Sequence, residues 1–289
     1  MPLPATGTIV EYPSGTTSSR GHVLHVEEVD GALAVVLDRT AFHPVDANWP
    51  DQRADRGRLI LNDGTGVDVV DAQVGATDGE RLHIGRDVPV RSGTAGWGFV
   101  VVHLVAPEAP VREGDTVTVE VDAGFRAALS AGHTACHLAS LALDRALAYS
   151  WTKPAPTDSL GAPAFDQLAI ERSEIFEHGA RDTYRIGKSL RRKGFPPAAF
   201  DDPAAIADAV NTQLAEWIAS DAAVRVETPE ASLGARRAWV CALPEGEARI
   251  PCGGTHVDRL GALGRVAVAF EVDDADGART VVMTTTAVV

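Results

Sequence analysis

"AGFRAALSAGHTACHLASLALDRALAYS", residues 123–150, is where the chain changes character. It is rich in alanine and leucine and holds no proline, so it predicts a long helix, with a break expected near Gly132. Upstream the pattern is β. "HVLHVEEV" (22–29), "ALAVVLDRTAF" (32–42), "RLILND" (58–63), "VDVVDAQV" (67–74) and "WGFVVVHLV" (97–105) are short Val-, Leu- and Ile-rich runs separated by Gly, Asp and Pro clusters. Strands at this spacing predict a small barrel or a sandwich. "APEAPVREGD" (106–115) reads as a hinge and "TVTVEVD" (116–122) as one more strand. Downstream, "DDPAAIADAVNTQLAEWIAS" (201–220) predicts a helix starting near Asp202, with Pro203 in its first turn, where the missing N–H costs nothing. "AVRVET", "RRAWVCAL", "RVAVAFEV" and "RTVVMTTTAVV" then read as strands. The expectation is α+β with an antiparallel sheet, in two domains, 1–110 and 111–289. "AFDQLAIERSEIFEHG" (164–179) shows no clear period.

The long helix carries "HTACH", which places His133 and His137 at i and i+4, one turn apart on one face. "PCGGTHV" (251–257) brings a second pair, Cys252 and His256, across two glycines. The glycines suit a tight turn with positive φ available. Together the pairs make a four-ligand N/S set, and that set suits zinc. Cys136, at i+3 from His133, is a competing ligand or a buried core cysteine. "HTACH" lacks the glutamate that serves as general base in HExxH proteases. Four protein ligands usually mean a closed structural zinc, whereas catalysis needs an open position. Both readings stand.

Composition bounds the rest. With 40 acidic against 26 basic side chains the net charge is -14, which alone argues against a nucleic-acid partner. "RDTYRIGKSLRRKGF" (181–195) runs the other way, with Arg181, Arg185, Lys188, Arg191, Arg192 and Lys193 against the single acid Asp182. It is a solvated basic loop or helix face, or a polyanion contact. Three cysteines are too few for a disulfide framework and fit a cytoplasmic location. No run of about eighteen apolar residues and no secretory leader is expected, hence no membrane partner. His22 and His25 read as surface or edge histidines, and His103 and His178 as ordinary ones; His43, beside Pro44, is a pocket candidate.

At the two zinc pairs the sequence resembles the editing domains of alanyl- and threonyl-tRNA synthetases and their free-standing relatives, the trans-acting alanyl-tRNA editing (AlaX-type) proteins. "GDTVTVEVDAGFR", "AVNTQLAEWI" and "LDRTAFHP" followed by "QRADRG" are similar to further family segments. The resemblance spans roughly residues 5–270. It implies a small β-barrel followed by an α+β zinc-containing editing core. It also implies hydrolysis of the ester joining a wrong amino acid to the 3′ acceptor end of tRNA, with no DNA partner. His133, His137, Cys252 and His256 would hold Zn²⁺. Thr134, Gly254 and Thr255 would be catalytic, near the substrate, and backbone N–H groups around Gly253 and Gly254 would face an oxyanion. Asp122, Arg126 and Gln52 match family positions and, with His43 and Trp49, form the substrate-binding set. Trp49 is read as stacking on the terminal adenine or as a cap on the barrel. Arg185, Lys188, Arg191, Arg192 and Lys193 are the tRNA-binding set. Trp49, Pro50 and Asp51 stand where the family has glycines before the Gln, and in place of its Q-x-G-S and R-F-D-F segments stands "GKSLRRKGF". Serine or glycine on alanine tRNA is the default substrate. Threonine, or an analogue such as a halogenated threonine, on its tRNA is an alternative. So are a small ester or amide without tRNA, and a non-catalytic binding module with structural zinc.

Overall fold

The computed structural model describes residues 3, 4, 6–275 and 277–289. It is mixed α+β with mostly antiparallel sheets, and divides into two compact units. The first comprises 1–127, 226–238 and 252–255; the second comprises 128–225, 239–251 and 256–289.

Beside a short seventh strand, Leu82–Ile84, paired to the fourth of them, the main sheet of the first unit has six strands: β1 (Ser18–Val29), β2 (Ala32–Leu37), β3 (Gly57–Leu61), β4 (Gly66–Thr77), β5 (Gly98–Val105) and β6 (Thr116–Val121). They pair in the order β3-β6-β1-β2-β5-β4, and β4 pairs again with β3, so the hydrogen bonding returns to its start. β1 and β2 meet at Asp30-Gly31, both at positive φ (50° and 80°), the conformation that a two-residue hairpin loop requires. β5 is an apolar run buried on both faces, and the period of two divides it. Val101 joins Val35, Leu37, Leu59 and Phe42 in one cluster, whereas Val100 and Val102 join Ala34 and Val36 in another, against which Leu82 and Ile84 pack. His103 lies fully buried in this unit, its ring held between Thr40 Oγ1 (2.9 Å) and the Val35 carbonyl (3.2 Å).

In the second unit, α1 (Ala123–Ala146, its first turn belonging to the first unit) runs without a break, so the interruption expected at Gly132 does not occur. The glycine has another cause. A Cβ there would lie 2.4 Å from the Phe176 carbonyl oxygen and 2.5 Å from that of Gly179, so the helix rides against a hairpin turn that tolerates only hydrogen. That hairpin is β7 (Ile170–Phe176) with β8 (Gly179–Ile186), preceded by the short helix α2 (Phe165–Ala169) and followed by the one-turn helix α3 (Lys188–Arg192). The basic segment is therefore a strand running into a short helix rather than a loop. α4 (Pro203–Ala219) begins as expected, with Asp202 accepting from Ala205 N–H at 3.0 Å. β9 (Val224–Glu227, its last two residues assigned to the first unit), β10 (Ala238–Leu243, its first residue likewise) and β11 (Gly246–Pro251) form a three-stranded sheet. β12 (Arg265–Ala275) and β13 (Ala278–Val288) complete a four-stranded sheet in the order β7-β8-β13-β12. Asn211 of α4 is stitched to β12 through both bonds of its amide with Val268 (3.2 and 2.7 Å).

Candidate metal centre

The helical spacing delivers what it promises: the rings of His133 and His137 stand 4.7 Å apart, and His256 brings a third ring within 4.3 and 5.0 Å of them. Cys252, four residues before His256, completes a group whose ligand atoms all lie within 4.8 Å of one another. Tetrahedral zinc, with bonds of about 2.0–2.3 Å, spaces its ligands roughly 3.3–3.8 Å apart. A contraction of about 1 Å in the widest pair therefore suffices.

Two observations test whether the residues fit a cation. His137 Nε2 is buried and has no hydrogen-bond partner among the described residues, a costly arrangement for a ring nitrogen unless it donates its lone pair elsewhere. Burial holds that imidazole neutral, lowering its pKa to about 3. The Cys252 thiol is pushed up to about 12 by burial, with the Asp51 carboxylate adding to the rise and the Gly254 N–H opposing it. A thiol so disfavoured as thiolate needs a nearby cation to become a ligand.

His256 is oriented by Thr134. The Thr134 hydroxyl donates to the Ser130 carbonyl (2.9 Å) and accepts from Val257 N–H (3.1 Å). With its one proton committed, its 3.2 Å contact with His256 Nδ1 makes Nδ1 the donor, so in the neutral ring Nε2 carries the lone pair that a metal would take. Trp239, which sequence reasoning did not single out, is fully buried and packs on His137 (5.2 Å) and His256 (6.1 Å). Its only signal was an aromatic inside a predicted strand.

Cys136 stays outside the group. It packs with Ile175 and Ala180, and its thiol donates to Asp182 at 3.4 Å; burial and that carboxylate raise its pKa well above the usual range. Asp182 also accepts from Ser173 (2.6 Å).

On the turn itself, Gly254 N–H donates to Cys252 Sγ at 3.3 Å, and Thr255 N–H donates to Gln52 Oε1 at 3.0 Å. Gln52 Nε2 in turn donates to Thr255 Oγ1 at 2.9 Å, closing a reciprocal pair between two nearly fully buried side chains. The positive φ expected at the glycines is not found at Gly253, where a Cβ would meet nothing within 4 Å. Its small size leaves space rather than relieving strain.

Several other expected residues have structural partners. Asp122 accepts from Phe125 N–H (3.0 Å) at the start of α1. Arg126 is buried in a two-pronged ion pair with Asp55 and donates to the Ala41 carbonyl at 2.8 Å. His43 is buried against Tyr12, its pKa lowered by burial to about 4, and its Nδ1 has no partner among the described residues. Trp49 is 47% exposed, while burial raises Asp51 to about 6. Arg185, Lys188, Arg191, Arg192 and Lys193 are all exposed along β8, α3 and the residue after it. No helix among the described residues is long and apolar enough to cross a membrane.

No family model matches the chain. It is 30% identical over 261 residues to the alanine–tRNA ligase of Frankia casuarinae, which covers 87% of this chain and 24% of the ligase. With the alanine–tRNA ligase of Frankia alni it shares 30% identity over 258 residues, 86% of this chain and 24% of that one. The alanine–tRNA ligase of Halorubrum lacusprofundi is 29% identical over 194 residues, 67% of this chain and 18% of the ligase. The similarity to alanine–tRNA ligases thus runs through most of this chain, while the chain spans about a quarter or less of their length.

Proposed function

We propose that these residues form a zinc-dependent aminoacyl-tRNA deacylase of the editing type, hydrolysing the ester at the 3′ acceptor end of a mischarged tRNA. The gathering of His133, His137, Cys252 and His256 carries the reading; similarity to enzymes named for joining alanine to tRNA supports the tRNA class. Serine or glycine on alanine tRNA is the first substrate to test. Trp49, Pro50 and Asp51 stand where the family that the chain resembles has glycines, a bulky and rigid replacement that keeps threonine or a threonine analogue in view. In this reading the closed ring of strands is a small β-barrel, and the later part of the chain is the editing domain.

The four side chains would hold zinc, which supplies Lewis-acid chemistry for ester hydrolysis. The protein's own groups set the stage. Thr134 fixes the His256 tautomer, Trp239 shields two of the imidazoles, and Gly254 lends its N–H to the sulfur. Gln52 clamps Thr255 and so holds the ligand-bearing turn.

A closed structural zinc is the second reading, favoured by the presence of four protein ligands. Deacylation decides between them. The 289-residue protein is mixed with alanine tRNA carrying Ala, Ser or Gly, and threonine tRNA carrying Thr, Ser or a threonine analogue, with a chelated control. Metal-dependent cleavage of one pairing is expected. Bound zinc with every ester intact would leave the structural reading standing.

A further inference from the structure

A cavity of about 510 Å³ opens in the second unit, between the junction of α2 with β7, the end of β8, α3 and the start of β13. We propose that it is a ribonucleotide-binding subsite. Its size falls within the roughly 300–1,000 Å³ of ligand pockets. Three chemistries line it. Leu168, Ile170 and Leu190 offer apolar surface suited to a base. Arg185 and Lys188, with the Ser189 hydroxyl, offer what a phosphate needs. Glu171 would repel a bare phosphate, yet its carboxylate is an acceptor for ribose hydroxyls, the groups that distinguish RNA from DNA. Glu171 and Arg185 stand 3.8 Å apart and half exposed, a weak pair that a ligand can open.

The surroundings favour an RNA chain over a free nucleotide. In a protein of net charge -14, Lys188, Arg191, Arg192 and Lys193 lie exposed in succession, none with an acidic partner among the described residues. The single acid of the segment, Asp182, is buried against Ser173 and Cys136 and does not face solvent. The cavity thus sits at the head of a cationic run, the footprint of a ligand with repeated phosphates. The choice of RNA rests on the reading that this chain handles tRNA; the subsite's chemistry does not.

The test uses the full chain and three probes: a fluorescein-labelled single-stranded RNA 12-mer, DNA of the same sequence, and adenosine 5′-monophosphate. Lys188→Ala and Glu171→Gln are compared with Arg172→Ala, which removes an exposed cation paired with Glu174 on β7. Lys188→Ala is expected to weaken RNA binding about tenfold and to flatten its salt dependence by about 0.7 in slope. Glu171→Gln, whose amide oxygen still accepts but without the charge, should reduce the preference for RNA over DNA, and Arg172→Ala should change neither. RNA binding tighter than the mononucleotide assigns the site to an RNA chain; equal affinity assigns it to a free nucleotide. No binding of either, or a loss in Lys188→Ala no larger than in Arg172→Ala, overturns the subsite. Deacylation is measured on the same preparations. Lys188-dependent RNA binding without ester cleavage would end the deacylase reading and leave the subsite standing; cleavage with Lys188→Ala binding normally would do the reverse.

Discussion

Thr134 has one proton and three neighbours, and that shortage decides the chemistry of His256. Thr134→Val removes the acceptor for His256 Nδ1–H and for Val257 N–H. Zinc affinity, read by competition with a chromophoric chelator, should fall about ten- to a hundredfold, and Thr134→Ser should restore most of it. The two cysteines of interest should separate in the same assay. Cys252→Ala is expected to lose stoichiometric metal, whereas Cys136→Ala should keep it, because Cys136 faces Asp182. Equal metal content in the two variants would remove Cys252 from the site. The pairing of His133 with His137 was legible in the sequence because a helix turns two histidines four apart onto one face. The Gln52–Thr255 clasp was not, since 203 residues separate its partners and no local period records it. Nor does spacing say which cysteine on a helix shoulder meets a carboxylate.

At the scale of elements, α1 and its neighbour β7–β8 are coupled through Gly132. Ala would ordinarily favour a helix interior by about 1 kcal/mol. Here Gly132→Ala forces a methyl into the Phe176 and Gly179 backbone, so a net loss of roughly 1–3 kcal/mol is expected by thermal or urea unfolding. Gly253→Ala, with open space above it, should fold like the parent. A stabilised Gly132→Ala would show that the hairpin yields. The sequence announced α1 by its composition and α4 by its Asp-Pro start. It hid β7–β8, because "IERSEIF" buries only Ile175 fully and turns its polar residues outward along a sheet edge. Without alternation of apolar and polar residues, the period that marks a strand is missing.

For the molecule as a whole, stability should depend on pH through Asp144. Burial raises its carboxyl to about 9, although Asp166 N–H donates to it at 2.7 Å. The native state then holds a proton that the unfolded chain has already released. The stability this contributes is complete below the unfolded carboxylate pKa and is lost as pH rises through the folded value. Between pH 7 and 9 unfolding free energy should fall by roughly 1.4 kcal/mol per pH unit, and Asp144→Asn should level that slope. His43 and His103, each lowered to about 4 by burial, act in the opposite sense. Their contribution is present above the unfolded value near 6.5 and drains away as pH falls toward 4. The α+β class could be read from the order of strand-like and helix-like runs. The strand spacing left a barrel and a sandwich both open, and the particular return of β4 onto β3 could not be read, because it depends on which strands meet across the whole first unit.

That return has a consequence for how the protein behaves among other copies of itself. Among the described residues each of the six strands from β1 to β6 has a hydrogen-bonded neighbour on both sides for at least part of its length, and the strand that ends the sheet, Leu82–Ile84, has only three residues, so the first unit offers only short rows of spare amides to a passing strand. The four-stranded sheet of the second unit does end, at β7 and β12, and β7 turns Glu171, Arg172 and Glu174 toward solvent there. Edge-to-edge aggregation, where it begins, should therefore begin in the second unit, with the charges of β7 as its gatekeepers.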